Sequence, residues 1–241
     1  MSLAVQKSPA YELPELREAL EAALRPGGLR LTERALGQCG LESGSRILDV
    51  GCGPGKTVSH LSRRGFRVVG VDRSQYLLGN PIPEAKSLLI NGRVEELPFT
   101  SCQFQAVFCE CVLSLVQDCN HALSEILRVL EPEGILVWSD VYRRDRVPEL
   151  ETCQRGDFIN CFQGALSLPR IFEMLRSRKC EVVQSETHDH LLKETAARLV
   201  FAGLDPGEHL PCRSDYELAK RKNQFGYVLI IARKKCKSEH E

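Results

Sequence analysis

Apolar and polar positions follow two different rhythms along this chain, and the change falls near residue 46. Before it, Leu16, Leu20, Ala23 and Leu24 recur at helical spacing and predict an amphipathic helix over residues 12 to 24. Arg25-Pro26-Gly27-Gly28 breaks that helix. A second helix is predicted from Thr32, read as its N-cap, through Ala35 and Leu36 to an end near Gly40 or Gly44. From Arg46 onward, short apolar runs alternate with helical segments. The predicted strands are 46–50, 66–71, 87–90, 104–109, 135–139, 181–185 and 227–232. The predicted helices are 55–64, a short one capped by Ser74 that must stop before Pro81, 120–130 with a turn at Pro132 to Gly134, 168–178, and most of 188–204.

Strands alternating with helices predict an α/β fold with a mostly parallel sheet covered on both faces. The connection from about 186 to 225 exceeds a simple crossover, and long connections of this kind often form lids or substrate-binding elements. No internal repeat is visible.

The strongest local signal is Asp49-Val50-Gly51-Cys52-Gly53-Pro54-Gly55, between a predicted strand and a predicted helix. Glycines there let the backbone turn tightly and approach a ligand. A dinucleotide site requires G-x-G-x-x-G, and its third glycine would fall at Lys56. A phosphate loop requires G-x-x-x-x-G-K-[ST]; Gly55-Lys56-Thr57 supplies its end, but the first glycine position is Val50. A third ligand, S-adenosylmethionine, carries a zwitterionic methionine end, a ribose and an adenine, and no phosphate. Asp49 and the loop amides suit the methionine end. Asp72, closing Val69-Gly70-Val71-Asp72, suits both ribose hydroxyls, and Leu77, one turn into the next helix, suits the adenine face. The alternative is a glycine-rich structural turn with an incidental Asp72.

Charge and cysteine content narrow the partners. The 241 residues hold 32 Lys plus Arg against 32 Asp plus Glu, so the formal net charge is zero. This argues against a nucleic-acid partner, because such binders usually show a basic excess. The short run Lys234, Lys235 and Lys237 reads as a solvated end. No apolar run approaches bilayer length, and the start Met1 to Lys7 lacks a signal-peptide core, so no membrane is expected and the expected location is cytoplasmic. The eleven cysteines are accordingly read as thiols or ligands rather than a disulfide frame.

The ordered motifs resemble the class I S-adenosylmethionine-dependent methyltransferases, especially the small-molecule group that includes quinone-biosynthesis enzymes (methyltransferase type 11). The similar region runs from Arg46 to Asp140. It includes Ile47 to Gly55, Val69 to Ser74, Glu95-Glu96-Leu97-Pro98-Phe99, Phe104-Gln105-Ala106-Val107, and Ala122 to Gly134. The resemblance implies a Rossmann-like, doubly wound, seven-stranded sheet with an antiparallel last strand. N-terminal helices and a helical insertion before the last strand would complete one domain. That domain would span 1–241, with a helical cap over 1–44, a cofactor-binding core over 45–142, and substrate-side elements with the last strands over 143–241. It implies S-adenosylmethionine as cofactor and a small-molecule acceptor. The implied cofactor-binding residues are Asp49, Gly51, Cys52, Gly53, Asp72, Arg73, Leu77, Arg93, Val94, Cys109 and Glu110. Three positions depart from the family pattern: Arg93 stands where many members are acidic, Gln105 replaces a common Asp, and Asn80-Pro81 shortens a helix. The front segment Arg25 to Thr32 also looks like a little-characterised methyltransferase subgroup of anaerobes, which implies no established substrate.

Methyl transfer needs alignment and exclusion of water, plus a base where the acceptor must lose a proton. Glu110 and Cys111, just past the fourth predicted strand, are the candidate catalytic residues; Glu110 also suits the cofactor ammonium. Asp140 and Tyr142 are expected near the acceptor. Cys102, Cys109, Cys111 and Cys119 admit a thiophilic site for metalloid or thiol methylation, although packing is the commoner role of cysteine. His188 and His190 would share a side if extended, but two ligands do not make a metal site. Two other functions stand beside the small-molecule enzyme: a non-catalytic module that binds the cofactor or its demethylated product, and a protein or RNA methyltransferase.

Overall fold

The computed structural model describes residues 9–21, 23–144, 161–162, 164–205 and 224–236. Part of the expected long connection (206–223), the Met1 to Lys7 start and Lys237 lie outside the described residues. The strands are β1 (Arg46–Val50), β2 (Arg67–Asp72), β3 (Leu89–Asn91), β4 (Phe104–Glu110), β5 (Leu130–Arg143), β6 (Leu166–Ser167), β7 (Cys180–Thr187) and β8 (Phe225–Lys234). They run in the order β3-β2-β1-β4-β5-β8-β7, with β6 pairing β5 off this path. β1 pairs β2 and β4 in parallel, as β4 pairs β5, whereas β8 is antiparallel to both β5 and β7. This is the expected mostly parallel sheet with an antiparallel last strand, enlarged by the two-residue β6.

Alternation along the central strands sorts their side chains between two apolar layers. Leu48, Val50, Val107 and Cys109 face the layer filled by Leu123, Ile126, Ile171 and Leu175, which belong to α5 (Cys119–Val129) and α6 (Leu168–Arg176). Ile47, Ala106 and Phe108 face the opposite layer with Ala35, Val58 and Leu61, from α2 (Gly28–Cys39) and α3 (Lys56–Arg63). Both faces are covered, so the strands are nearly continuous apolar runs.

Three local expectations are corrected. The first helix, α1, spans only Pro14–Ala19, because Glu21 turns to a φ of 52°. Thr32 is not an N-cap: α2 starts at Gly28, and Thr32 is a fully buried interior residue. The turn at Pro132 to Gly134 is an irregularity inside β5, where Phe104 pairs Leu130 but Ala106 already pairs Ile135, and Glu133 takes a φ of 62°. The short helix α4 (Gln75–Gly79) is capped as expected, with Ser74 Oγ accepting from Leu77 N at 3.1 Å. The remaining helix, α7 (His190–Phe201), lies in the late connection. No helix among the described residues is long and apolar enough to cross a membrane.

Candidate functional site

The carboxyl ends of β1, β2 and β4 open into one cavity of about 210 Å³. Ligands in open α/β sheets sit at this end. The floor is Asp49 to Pro54 from the loop after β1. Asp72, Arg73 and Leu77 line one side, with Gly92, Val94 and Glu95 beyond them. Glu110, Cys111 and Val112 line the other side, with Val116, Val141, Cys161 and Phe162 above. The N-terminal segment adds Tyr11, Leu16, Leu20, Leu24 and Arg25 to the cavity wall.

The glycine loop is shaped by close approach. Gly51 has a φ of +70°, and a Cβ there would stand 2.2 Å from Val112 Cγ2. The loop is tied to β2 by backbone bonds from Gly51 N and Cys52 N to Val71 O, at 2.8 and 3.1 Å. Asp72 completes the tie: its Oδ2 accepts from Gly53 N and its Oδ1 from Ser74 N, each at 2.8 Å. Burial raises the Asp72 carboxyl, and those two amides oppose the rise. The wall beyond Asp72 is apolar, with Leu77 and Val94 both buried.

Asp49 is 3% exposed, and its Oδ2 has no hydrogen-bond partner. Burial pushes its carboxyl well above the ordinary range, Glu110 adds to the rise and Arg25 opposes it. Glu110 is also buried, with Arg25 Nη2 2.7 Å from its Oε2. Thr32 Oγ1 donates to Glu110 Oε1 at 3.0 Å. Arg25 was not among the residues singled out from sequence. Its signals are the Arg-Pro-Gly-Gly break, which reads as punctuation until the fold brings it against β4, and the subgroup resemblance of Arg25 to Thr32, which assigns Arg25 no role.

Other expectations are redistributed. Cys109 is fully buried in the apolar layer beneath the site and does not line the cavity. Arg93 is also outside the lining: its Nη2 sits 3.4 Å from Glu95 Oε1, and Glu95 is the acidic residue that lines the cavity beside Gly92 and Val94. Asp140 does not line the cavity either. Burial pushes it up to about 6, against hydrogen bonds from Ser114, whose Oγ donates at 2.5 Å. Tyr142 is buried in the core. Gln105 acts at the far end of its strand, accepting from Arg46 N and donating to Glu131.

The four-cysteine set does not assemble, since Cys102 is exposed before the start of β4 and Cys111 follows its end. Cys111 instead shares the cavity wall with Cys161, and its Sγ is 3.1 Å from Tyr227 Oη. Hydrogen bonding with Cys161, then burial, holds the Cys111 thiol well above its ordinary value. His188 is not on an extended segment with His190, which begins α7; His188 Nε2 lies 3.0 Å from Glu186. Among the described residues no group of His, Cys, Asp and Glu is arranged to hold a metal ion.

The donor set fits S-adenosylmethionine on two observations. Asp49 Oδ2 is a buried acceptor without a donor, suited to an ammonium, and Gly51, where a Cβ would collide with Val112, keeps the loop after β1 as bare backbone on the cavity wall. Residues 48–138 match the family described as "Methyltransferase domain". The uncharacterized methyltransferase YodH of Bacillus subtilis (strain 168) is 27% identical over 225 residues, 88% of this chain and 94% of that protein. Other curated relatives are matched over about half their length, 45% of one and 51% of another. The crystal structure of the [4+2]-cyclase SpnF superposes with a TM-score of 0.73 at 21% identity, covering 94% of this chain and 95% of that one. Haemonchus contortus phosphoethanolamine N-methyltransferase 2, in complex with S-adenosyl-L-methionine, gives 0.70 at 18% identity over 92% of this chain and 56% of that one.

Proposed function

We propose, from the premise that this chain is a class I S-adenosylmethionine-dependent methyltransferase, that its acceptor is a small molecule with an apolar body. The carrying observation is the apolar part of the cavity wall, where Val112, Val116, Val141 and Phe162 line the same cavity as Glu110 and the N-terminal Leu16, Leu20 and Leu24.

When bound, S-adenosylmethionine supplies an electrophilic methyl group on a sulfonium. The chain positions it. Asp49 and Glu110 hold the ammonium end, with the bare backbone of Gly51 and Gly53, whose N–H groups are already bonded to Val71 and Asp72, against the methionine chain. Asp72 accepts the ribose hydroxyls, beside Cys52 and Arg73. Leu77 and Val94 enclose the adenine. Glu110 already accepts from Arg25 and Thr32, which suits it to binding better than to proton abstraction. Catalysis therefore rests on alignment and exclusion of water within an apolar chamber.

Fold alone does not fix chemistry, and one protein of similar architecture is described as a cyclase, so the test must read methyl transfer itself. Incubation with methyl-labelled cofactor and cell extract should place the label in a low-mass product. Label confined to protein or RNA would overturn the small-molecule reading, and binding without any transfer would overturn turnover.

Cys111 is proposed to shape the acceptor chamber as a neutral thiol. Its raised pKa argues against a thiolate at neutral pH. Cys111→Ala should therefore change kcat by less than about tenfold, the scale of lost packing rather than of a lost general base, which contributes roughly 10²–10⁴. A loss beyond a hundredfold, with the fold intact by circular dichroism, would make Cys111 catalytic.

A further inference from the structure

We propose that Arg25 binds the carboxylate of the cofactor's methionine end, and that its ion pair with Glu110 opens to admit it. This rests on the cofactor placement proposed above. The Arg25 side chain is 10% exposed and projects from the segment before α2 into the cavity. A single nitrogen, Nη2, makes its polar contacts: Glu110 Oε2 at 2.7 Å, Thr32 Oγ1 at 2.7 Å and Thr57 Oγ1 at 2.8 Å. The two hydroxyls in turn donate hydrogen bonds to Glu110, at 3.0 and 3.3 Å from Thr32 and 3.4 Å from Thr57. Arg25 Nε, by contrast, is buried without an acceptor, as Asp49 Oδ2 is buried without a donor.

The two side chains that carry these unmet atoms line one cavity, and the atoms want opposite things. A zwitterion brings both: an oxygen for the guanidinium and an N–H for the aspartate. Its entry also exchanges like charge for like. The ligand carboxylate replaces Glu110 on Arg25, and the ligand ammonium replaces Arg25 beside Glu110 and Asp49. Arg25 and Glu110 each exchange one counter-charge for another, so neither is left unpaired in a buried site, where an unpaired charge is costly. The planar guanidinium suits two-point capture of a carboxylate. A sulfonium nucleoside lacking the carboxylate would have to leave Arg25 on Glu110 and forgo both contacts. The site thereby selects the zwitterionic nucleoside. The other cations on the cavity wall are Lys56 and Arg73, and Arg73 belongs to the ribose side with Asp72.

The test is a two-by-two comparison by calorimetry: S-adenosylhomocysteine and its decarboxylated analogue S-adenosyl-3-thiopropylamine, each on wild-type protein and on Arg25→Met. Wild type should bind the carboxylated nucleoside on the order of 30- to 100-fold more tightly than the analogue. In Arg25→Met the preference should shrink to under about threefold, because the coupling partner is gone. Arg25→Lys, which keeps the charge without the fork, should retain part of it and serves if the methionine variant does not fold. A preference that survives in Arg25→Met, that is absent from wild type, or that vanishes instead in Lys56→Met would overturn the proposal. Wild-type protein that binds neither nucleoside would overturn the cofactor placement itself, and this inference with it.

Discussion

Asp72→Asn is expected to lower the affinity for S-adenosylhomocysteine by on the order of a hundredfold, the largest single loss available at this site. Two effects combine. A carboxylate that accepts both ribose hydroxyls makes charge-assisted bonds worth about 1.5–3 kcal/mol each, and every 1.4 kcal/mol is tenfold in affinity. The same carboxylate holds the loop: Gly53 N and Ser74 N each donate to one of its oxygens at 2.8 Å. An amide can present only one acceptor, so one of those backbone N–H groups must face an NH₂. The glycine loop then loosens even before ligand enters, and the variant should also melt at a lower temperature. Calorimetric titration checks the affinity and a thermal melt the stability. A loss under threefold would mean that the ribose does not meet Asp72.

This residue was legible in the sequence because its neighbours are local. It ends an apolar run, follows the glycine loop at the spacing of a strand–helix–strand unit, and is followed by a cap, Ser74. The same holds for Asp49, the loop glycines and most strands, whose apolar runs are forced by burial on both faces. What the sequence did not reveal depends on contacts between distant segments. Arg25 meets Glu110 across 85 positions, and nothing near either residue announces the other. Thr32 reads as a cap because threonine favours that place, yet it is drawn into the interior by Arg25 and Glu110, which use its hydroxyl from both sides. The helix expected over 12 to 24 is cut short where the chain must bend to bring Arg25 over the cavity. Cys109 sits at a strand position expected to meet the cofactor. Alternation points it into the α5 layer instead, and its neighbours Glu110 and Cys111 line the cavity. Arg93 stands outside the lining for a similar reason: one step along the loop exchanges a lining position for an outer one, and Gly92, Val94 and Glu95 take the wall.

Cofactor affinity should rise with pH from the carboxylate range toward neutrality, with close to one proton released on binding. The cause is Asp49. In the free protein burial is the largest influence holding its carboxyl well above the ordinary value of about 4. Glu110 adds to the rise and the Arg25 guanidinium opposes it. An ammonium placed at its unpartnered Oδ2 stabilises the charged form and lowers that pKa again, so the proton must leave. Between the bound and free pKa values, affinity should climb by up to about tenfold per pH unit, and it should fall again where the ligand's own amine deprotonates. The stability of the free protein carries the opposite sign. A carboxyl raised on folding contributes stability that is present below its unfolded value and lost as pH rises through the folded one. The gap in Tm between ligand-bound and free protein should therefore widen as pH increases across that window. Titrations in two buffers of different ionisation enthalpy count the proton directly. Asp49→Asn should release none and bind with little dependence on pH across the same window. Wild-type protein that releases no proton, or an asparagine variant with the wild-type pH profile, would remove Asp49 from the ammonium site.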